Sequence, residues 1–179
     1  MEEIKNSQLF DLEHTIAKDI FDGKEYPFEI LPEIESFILA LGETLPKDKF
    51  EKRGENIWVA KSATVAASAS LTGPLIIDEE AEIRHCAFIR GKAIVGKHAV
   101  VGNSTELKNV ILFDRVQVPH YNYVGDSILG FKSHMGCGSI LNPGTIVGSN
   151  TNIYPLSSVR GYVPGGSIYK KQGEIAQKR

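Results

Sequence analysis

The chain has little cysteine: Cys86 and Cys137 are the two among 179 residues. That excludes a disulfide framework and leaves two thiols, with Cys137 and its small neighbours expected to pack at a corner. Aromatic residues make up 8 % and Trp58 is the single tryptophan, so any core must be mostly aliphatic. Neither charge sign dominates, with 20 Lys and Arg against 22 Asp and Glu and a formal charge of −2. A basic footprint for nucleic acid is therefore excluded. No apolar run approaches the ~20 residues of a membrane span. The opening Met1-Glu2-Glu3-Ile4-Lys5 has no apolar signal core, so a cytoplasmic protein is expected. With 42 % hydrophobic and 23 % charged residues the chain can build a core, and disorder is excluded.

What is present divides in two. From Ser7 to Asp22, Leu9, Leu12, Ile16, Ile20 and Phe21 fall on one helical face, with Ser7 as N-cap and Gly23 as stop. A second helix is expected near Pro32–Leu41, with Pro32 in its first turn, a stripe of Ile34, Phe37, Ile38 and Leu41, and Gly42 ending it. Charged Lys47–Glu55 reads as a linker. Residues 1–55 are thus expected to be a helical cap and linker covering an exposed end of the next domain, because stacked repeats need capped ends.

After Asn56 a six-residue period begins. Val59, Val65, Leu71, Ile77, Ile83, Ile89, Val95, Val101, Leu107 and Phe113 are one hexapeptide apart, and mostly small residues such as Ala63, Ala69, Ala81 and Ala87 follow four positions later. The frame breaks around Pro119–Tyr123 and resumes at Leu129, Met135, Leu141, Val147, Ile153 and Val159. Neither a helix nor a two-residue strand alternation gives this period. A three-sided prism does, each side one hexapeptide long with one aliphatic pointing inward and a small residue at the turn. The expected fold is all-β, a single-stranded left-handed parallel β-helix over residues 56–170 with an N-terminal α-helical cap, followed by a basic tail over 171–179. In such a solenoid the frame break reads as a loop or bulge, the usual place for function on a rigid scaffold. It contains His120, Tyr121, Asn122, Tyr123 and Asp126.

The ladder, together with Val118-Pro119-His120-Tyr121-Asn122-Tyr123-Val124-Gly125-Asp126-Ser127, resembles the hexapeptide acyltransferases. It is most similar to the acetyltransferase half of the bifunctional N-acetylglucosamine-1-phosphate uridyltransferase/glucosamine-1-phosphate acetyltransferases and to related UDP-N-acetylglucosamine pyrophosphorylase-like proteins. The resemblance covers roughly residues 56–170. It implies acetyl transfer from acetyl-CoA to the amine of an amino-sugar phosphate, in a cleft between subunits of a homotrimer, with no metal required. No glycine-rich phosphate loop feeds a helix, so the nucleotide-transferring half is not expected.

Carried onto this chain, the resemblance makes His120 the general base, and Arg84, Lys108 and Tyr123 the acceptor contacts. Gly136, Cys137, Pro155 and Lys170 become the donor contacts. These residue types suit the chemistry. A neutral imidazole can take a proton from an attacking nitrogen. Arg and Lys answer a phosphate, and corner N–H groups can polarise a thioester oxygen. The resemblance also implies about one more coil between Gly136 and Cys137 than this chain has, although the frame from Met135 to Leu141 survives the junction. Two other readings stand beside this one. Gamma-class carbonic anhydrases share the fold and hold a metal with three histidines, for which His85, His120 and His134 are candidates, but no second His closely follows His120. A non-catalytic sugar-phosphate-binding scaffold would follow if the missing coil removes part of the acceptor pocket.

Overall fold

The computed structural model describes residues 4–170 and 174–177. After residue 56 the chain winds as a left-handed parallel β-helix of about six coils. On the first side Val59, Ile77, Val95, Leu112, Leu129, Val147 and Val163 stack in register. The second side stacks Val65, Ile83, Val101 and Val118, then Met135 and Ile153. The third stacks Leu71, Ile89, Leu107, Val124, Leu141 and Val159. From Ile77 onward these ladder residues are at most 3 % exposed, so one aliphatic column runs the length of the prism. Burying each contributes roughly 1.5–3 kcal/mol.

The corners turn through the left-handed region. Glu80, Cys86, Lys92, His98 and Ser104 all have φ of 54–56°, one per hexapeptide. The next such residues are Asn109, Arg115, Tyr121 and Asp126. Within this stretch two sides are therefore five residues long, one ending at Asn109 and one at Asp126. These two shortenings produce the break in the six-residue frame. Pro119–Tyr123 is not a loop or bulge but an ordinary corner, with Tyr121 donating to the Asn103 carbonyl at 3.0 Å. In the corrected frame Leu112, Val118 and Val124 point inward. Phe113 leaves the ladder and packs outside, its ring 5.0 Å from Phe10 and 5.7 Å from Phe21.

The coils also stack without interruption across Gly136–Cys137. Gly136 donates to the Ile153 carbonyl at 2.7 Å and Gly138 to the His120 carbonyl at 3.0 Å.

The N-terminal region differs from the expected hairpin of helices. Among the described residues only α1 (Asn6–Leu9) and α2 (Ile34–Thr44) are α-helical, and short 3-10 turns lie between them. The first helix stops because Phe10 is extended, and because Asp11 and Thr15 offer local alternatives to the helix. The Asp11 carboxylate accepts from the Glu13 N–H and the Thr15 hydroxyl from the Ala17 N–H, each at 3.1 Å. This broken path buries both neighbours Leu9 and Phe10 as well as Ile20 and Phe21.

The region covers a side of the prism, not an end. Helix α2 crosses the first-side strands, over which Ile76, Ile94 and Ile111 point outward yet are fully buried. Gly42 lies inside α2 because the Trp58 ring occupies the space a Cβ would need, 2.5 Å away. The expected linker contributes a strand, Phe50–Gly54, paired antiparallel with Ile57–Ala60. At the other end Ser167–Tyr169 pairs antiparallel with Ile175–Gln177. Residues 174–177 belong to the expected basic tail, of which 171–173 and 178–179 lie outside the described residues.

Candidate active site at a prism corner

The corner between the second and third sides carries a vertical column of side chains, one per coil: Ala67, His85, Asn103, His120, Cys137 and Pro155. Backbone bonds between rungs fix their order. Ser104 donates to the His85 carbonyl at 3.2 Å, Tyr121 to Asn103 at 3.0 Å, Gly138 to His120 at 3.0 Å and Leu156 to Cys137 at 2.9 Å. His120 is exposed, and its Nδ1 is hydrogen-bonded to the Oδ1 of Asn103 on the rung below. On the rung above, Gly136, Cys137 and Gly138 are small. Gly136 has no alternative, because a Cβ there would lie 2.2 Å from the Pro155 nitrogen. Cys137 is exposed and not the packed thiol expected from its neighbours, because its corner position turns it outward.

Around this column the remaining candidates fall into two groups. Tyr123 lies on the third side next to this corner, whereas Lys108 lies at the far end of that side, beside the turn at Asn109. Tyr123 folds over Gly125, whose missing Cβ would lie 2.5 Å from the phenol oxygen. The Lys108 ammonium lies 3.5 Å from Asp126, whose other oxygen accepts from Asn109 Nδ2 at 3.0 Å. Arg84 instead lies on the second side, two rungs below His120, and its guanidinium donates to Glu82 at 3.0 Å. That hydrogen bond raises its already high pKa further. Lys170 follows the last second-side strand and pairs with Glu174 at 2.9 Å, which likewise raises its pKa. The fold thus brings His120, Gly136, Cys137 and Pro155 into one column with Tyr123 beside it, leaves Lys108 at the far end of the third side, and leaves Arg84 and Lys170 on the second side.

Sequence reasoning missed Asn103. The signal available was its spacing from His120, one coil of 17 residues, which shows only after the five-residue side at Asn109 is recognised. Of the histidines considered for a metal, His85 is two rungs below His120, with Nδ1 2.7 Å from the Ser68 hydroxyl and Nε2 3.2 Å from Cys86 Sγ. Among the described residues no three His, Cys, Asp or Glu side chains gather as a metal-holding group. A cavity of about 470 Å3 lies elsewhere, between the N-terminal region and the corner at Asp78 and Asp114.

A family model described as GMPPB C-terminal domain matches residues 71–164, more than half of the chain and all of the column from His85 to Pro155. The chain belongs to that family. Among curated relatives of this member of the GMPPB C-terminal domain family, the bifunctional protein GlmU of Brevibacillus brevis is 28 % identical over 127 residues, 63 % of this chain and 27 % of the relative. GlmU of Methanococcus vannielii is 36 % identical over 104 residues, 48 % and 25 % of the two chains. The chain thus spans about a quarter of the length of the curated relatives it matches. Among solved structures, a serine-to-threonine mutant of AntD, an N-acyltransferase from Bacillus cereus in complex with dTDP and coenzyme A, superposes with a TM-score of 0.58 at 16 % identity. The match covers 73 % of this chain and 91 % of AntD. At that identity the likeness establishes the shared fold.

Proposed function

We propose that the chain is an acyltransferase unit that moves an acetyl group from acetyl-CoA to the amine of an amino-sugar phosphate such as glucosamine-1-phosphate. The observation that carries this reading is His120, exposed at a prism corner with its Nδ1 hydrogen-bonded to the Asn103 side chain. In the reaction the amine nitrogen attacks the thioester carbon, its proton passes to His120 Nε2, and the CoA thiolate leaves. Tyr123 holds the acceptor beside His120, with Lys108 reaching from the far end of the third side and Arg84 from the second side. The low rung of Gly136 and Cys137, flanked by Pro155, suits the thin arm of an acyl-CoA, with Lys170 answering its phosphates. GlmU relatives and the CoA-bound N-acyltransferase AntD support this direction.

The site is completed by neighbouring copies in a homotrimer. Phe88, Tyr121, Ile140 and Leu156 are exposed apolar side chains bordering the same corner and suit such a contact. A second reading, a non-catalytic sugar-phosphate-binding scaffold, draws support from one observation: Arg84 and Lys108 are each already opposite a carboxylate.

The test incubates the purified chain with acetyl-CoA and either glucosamine-1-phosphate or an amino-sugar nucleotide, following free CoA thiol and the acetylated product by mass spectrometry. His120→Ala is expected to reduce turnover by ~10²–10⁴. Binding of sugar phosphate without thiol release would favour the scaffold.

A further inference from the structure

We propose that Asn103 is a positioning residue that keeps the proton of neutral His120 on Nδ1, so that the lone pair of Nε2 faces the groove. The inference rests on the acyltransferase reading for its catalytic consequence but not for its structural content. A neutral imidazole carries one N–H, and which nitrogen bears it is set by the partner of the other. Here the partner is fixed by the fold. The hydrogen bond from Tyr121 N–H to the Asn103 carbonyl puts the two residues on adjacent rungs of one corner, and Asn103 Oδ1 meets His120 Nδ1.

An amide oxygen can only accept, so Nδ1 must donate and Nε2 is left unprotonated. His120 is exposed, and an exposed ring on a flexible χ2 would otherwise sample both tautomers and several orientations. The Asn103 amide removes that freedom from the rung below, while the small Gly136 and Cys137 on the rung above leave the other edge of the ring uncovered. A neutral amide also differs from a carboxylate in the same place. It orients the ring without adding a negative charge beside it.

The test reads the tautomer directly. Imidazole nitrogen chemical shifts of ¹⁵N-histidine-labelled full-length chain, assigned with His120→Gln, are recorded above the titration of the ring. The expected result is a protonated Nδ1 at His120, which becomes a mixture of tautomers in Asn103→Ala. In kinetics, Asn103→Ala is expected to lower kcat about tenfold with little change in KM for the acceptor. Asn103→Asp should restore kcat and move the acid limb of the kcat/KM profile to higher pH, because a carboxylate favours the charged ring. Circular dichroism melting of each variant separates misfolding from mispositioning. A wild-type His120 protonated at Nε2, or a tautomer unchanged in Asn103→Ala, overturns the proposal. If no acyl transfer is detected, the tautomer measurement still decides the positioning role, and the functional reading falls separately.

Discussion

Asn109 donates its side-chain N–H to the carboxylate of Asp126 at 3.0 Å, and each residue occupies the left-handed turn that closes a five-residue side. The two shortened corners therefore lie one above the other and are tied together. The same Asn109 amide reaches the Leu31 carbonyl at 3.3 Å, linking the corner to the N-terminal region. The corner turns at positive φ, which Asn tolerates better than most residues with a Cβ. Asn109→Ala removes both contacts and strains the turn, with an expected loss of about 1–3 kcal/mol in urea unfolding. Asn109→Gly relieves the backbone but not the lost contacts and should fall between the two. If Ala and Gly are equally unstable, φ at this corner plays no part.

Most of the prism was legible because its physics is periodic: one inward aliphatic per side is a repeat that survives without any partner information. Three features resisted reading, each for a different reason. Single-residue shortenings at Asn109 and Asp126 change phase without changing composition, so Phe113 looked like a ladder residue and Pro119–Tyr123 like a loop. The covered side did leave a trace in the apolar doublets Ile76-Ile77, Ile94-Val95 and Ile111-Leu112, which recur every third side. A side facing water needs only the inward member. At the site, His120 was found from its local motif, whereas its partner Asn103 is remote in sequence and close only after the coils stack. The first helix failed because the amphipathic pattern of Leu9 to Phe21 says which residues are buried, not whether a helix or a broken path buries them.

Gly42 offers a contest between two effects of known size. In an isolated helix Gly→Ala stabilises by about 1 kcal/mol. Inside α2, however, the new methyl would lie 2.5 Å from several atoms of the buried Trp58 ring, and overpacking costs typically about 1–3 kcal/mol. Gly42→Ala is therefore expected to lower the melting temperature, with a blue- or red-shifted emission of the single tryptophan reporting its displacement. A higher melting temperature would show that α2 can slide away from the first side without cost.

Asp78 gives the protein a pH dependence of stability. Burial raises its pKa from 3.8 to about 6, with Asp114 and Glu79 adding to the rise and the Glu79 N–H bond and Lys97 opposing it. Below about pH 4 the group is protonated folded or unfolded. Between pH 4 and 6 the folded chain keeps a proton that the unfolded chain releases, so stability falls as pH rises, by about 3 kcal/mol in total at 1.36 kcal/mol per unit. Asp114, raised mainly by its own burial, adds to the same slope. Asp78→Asn keeps an acceptor for the Glu79 N–H, which now reaches Asp78 at 2.7 Å, and carries no charge. It should be more stable than the parent at pH 7 and close to it at pH 4, as read from urea midpoints at each pH.

Lys108 and Asp126 separate binding from chemistry in the proposed reaction. Their contact of 3.5 Å is partly exposed and worth no more than about 1 kcal/mol, so an incoming phosphate competes with Asp126 for the ammonium at modest cost. Asp126→Asn abolishes the competitor while leaving an oxygen for Asn109. It is expected to lower KM for the acceptor by up to about fivefold with kcat unchanged. Lys108→Met removes a charge-assisted contact of roughly 1.5–3 kcal/mol and should raise the same KM about 10–100-fold. Both effects are read from acceptor titrations at saturating acetyl-CoA. Equal KM values in the two variants and the parent would remove Lys108 from the acceptor site, because a cation that touches the substrate phosphate cannot be indifferent both to its own loss and to the loss of its competitor.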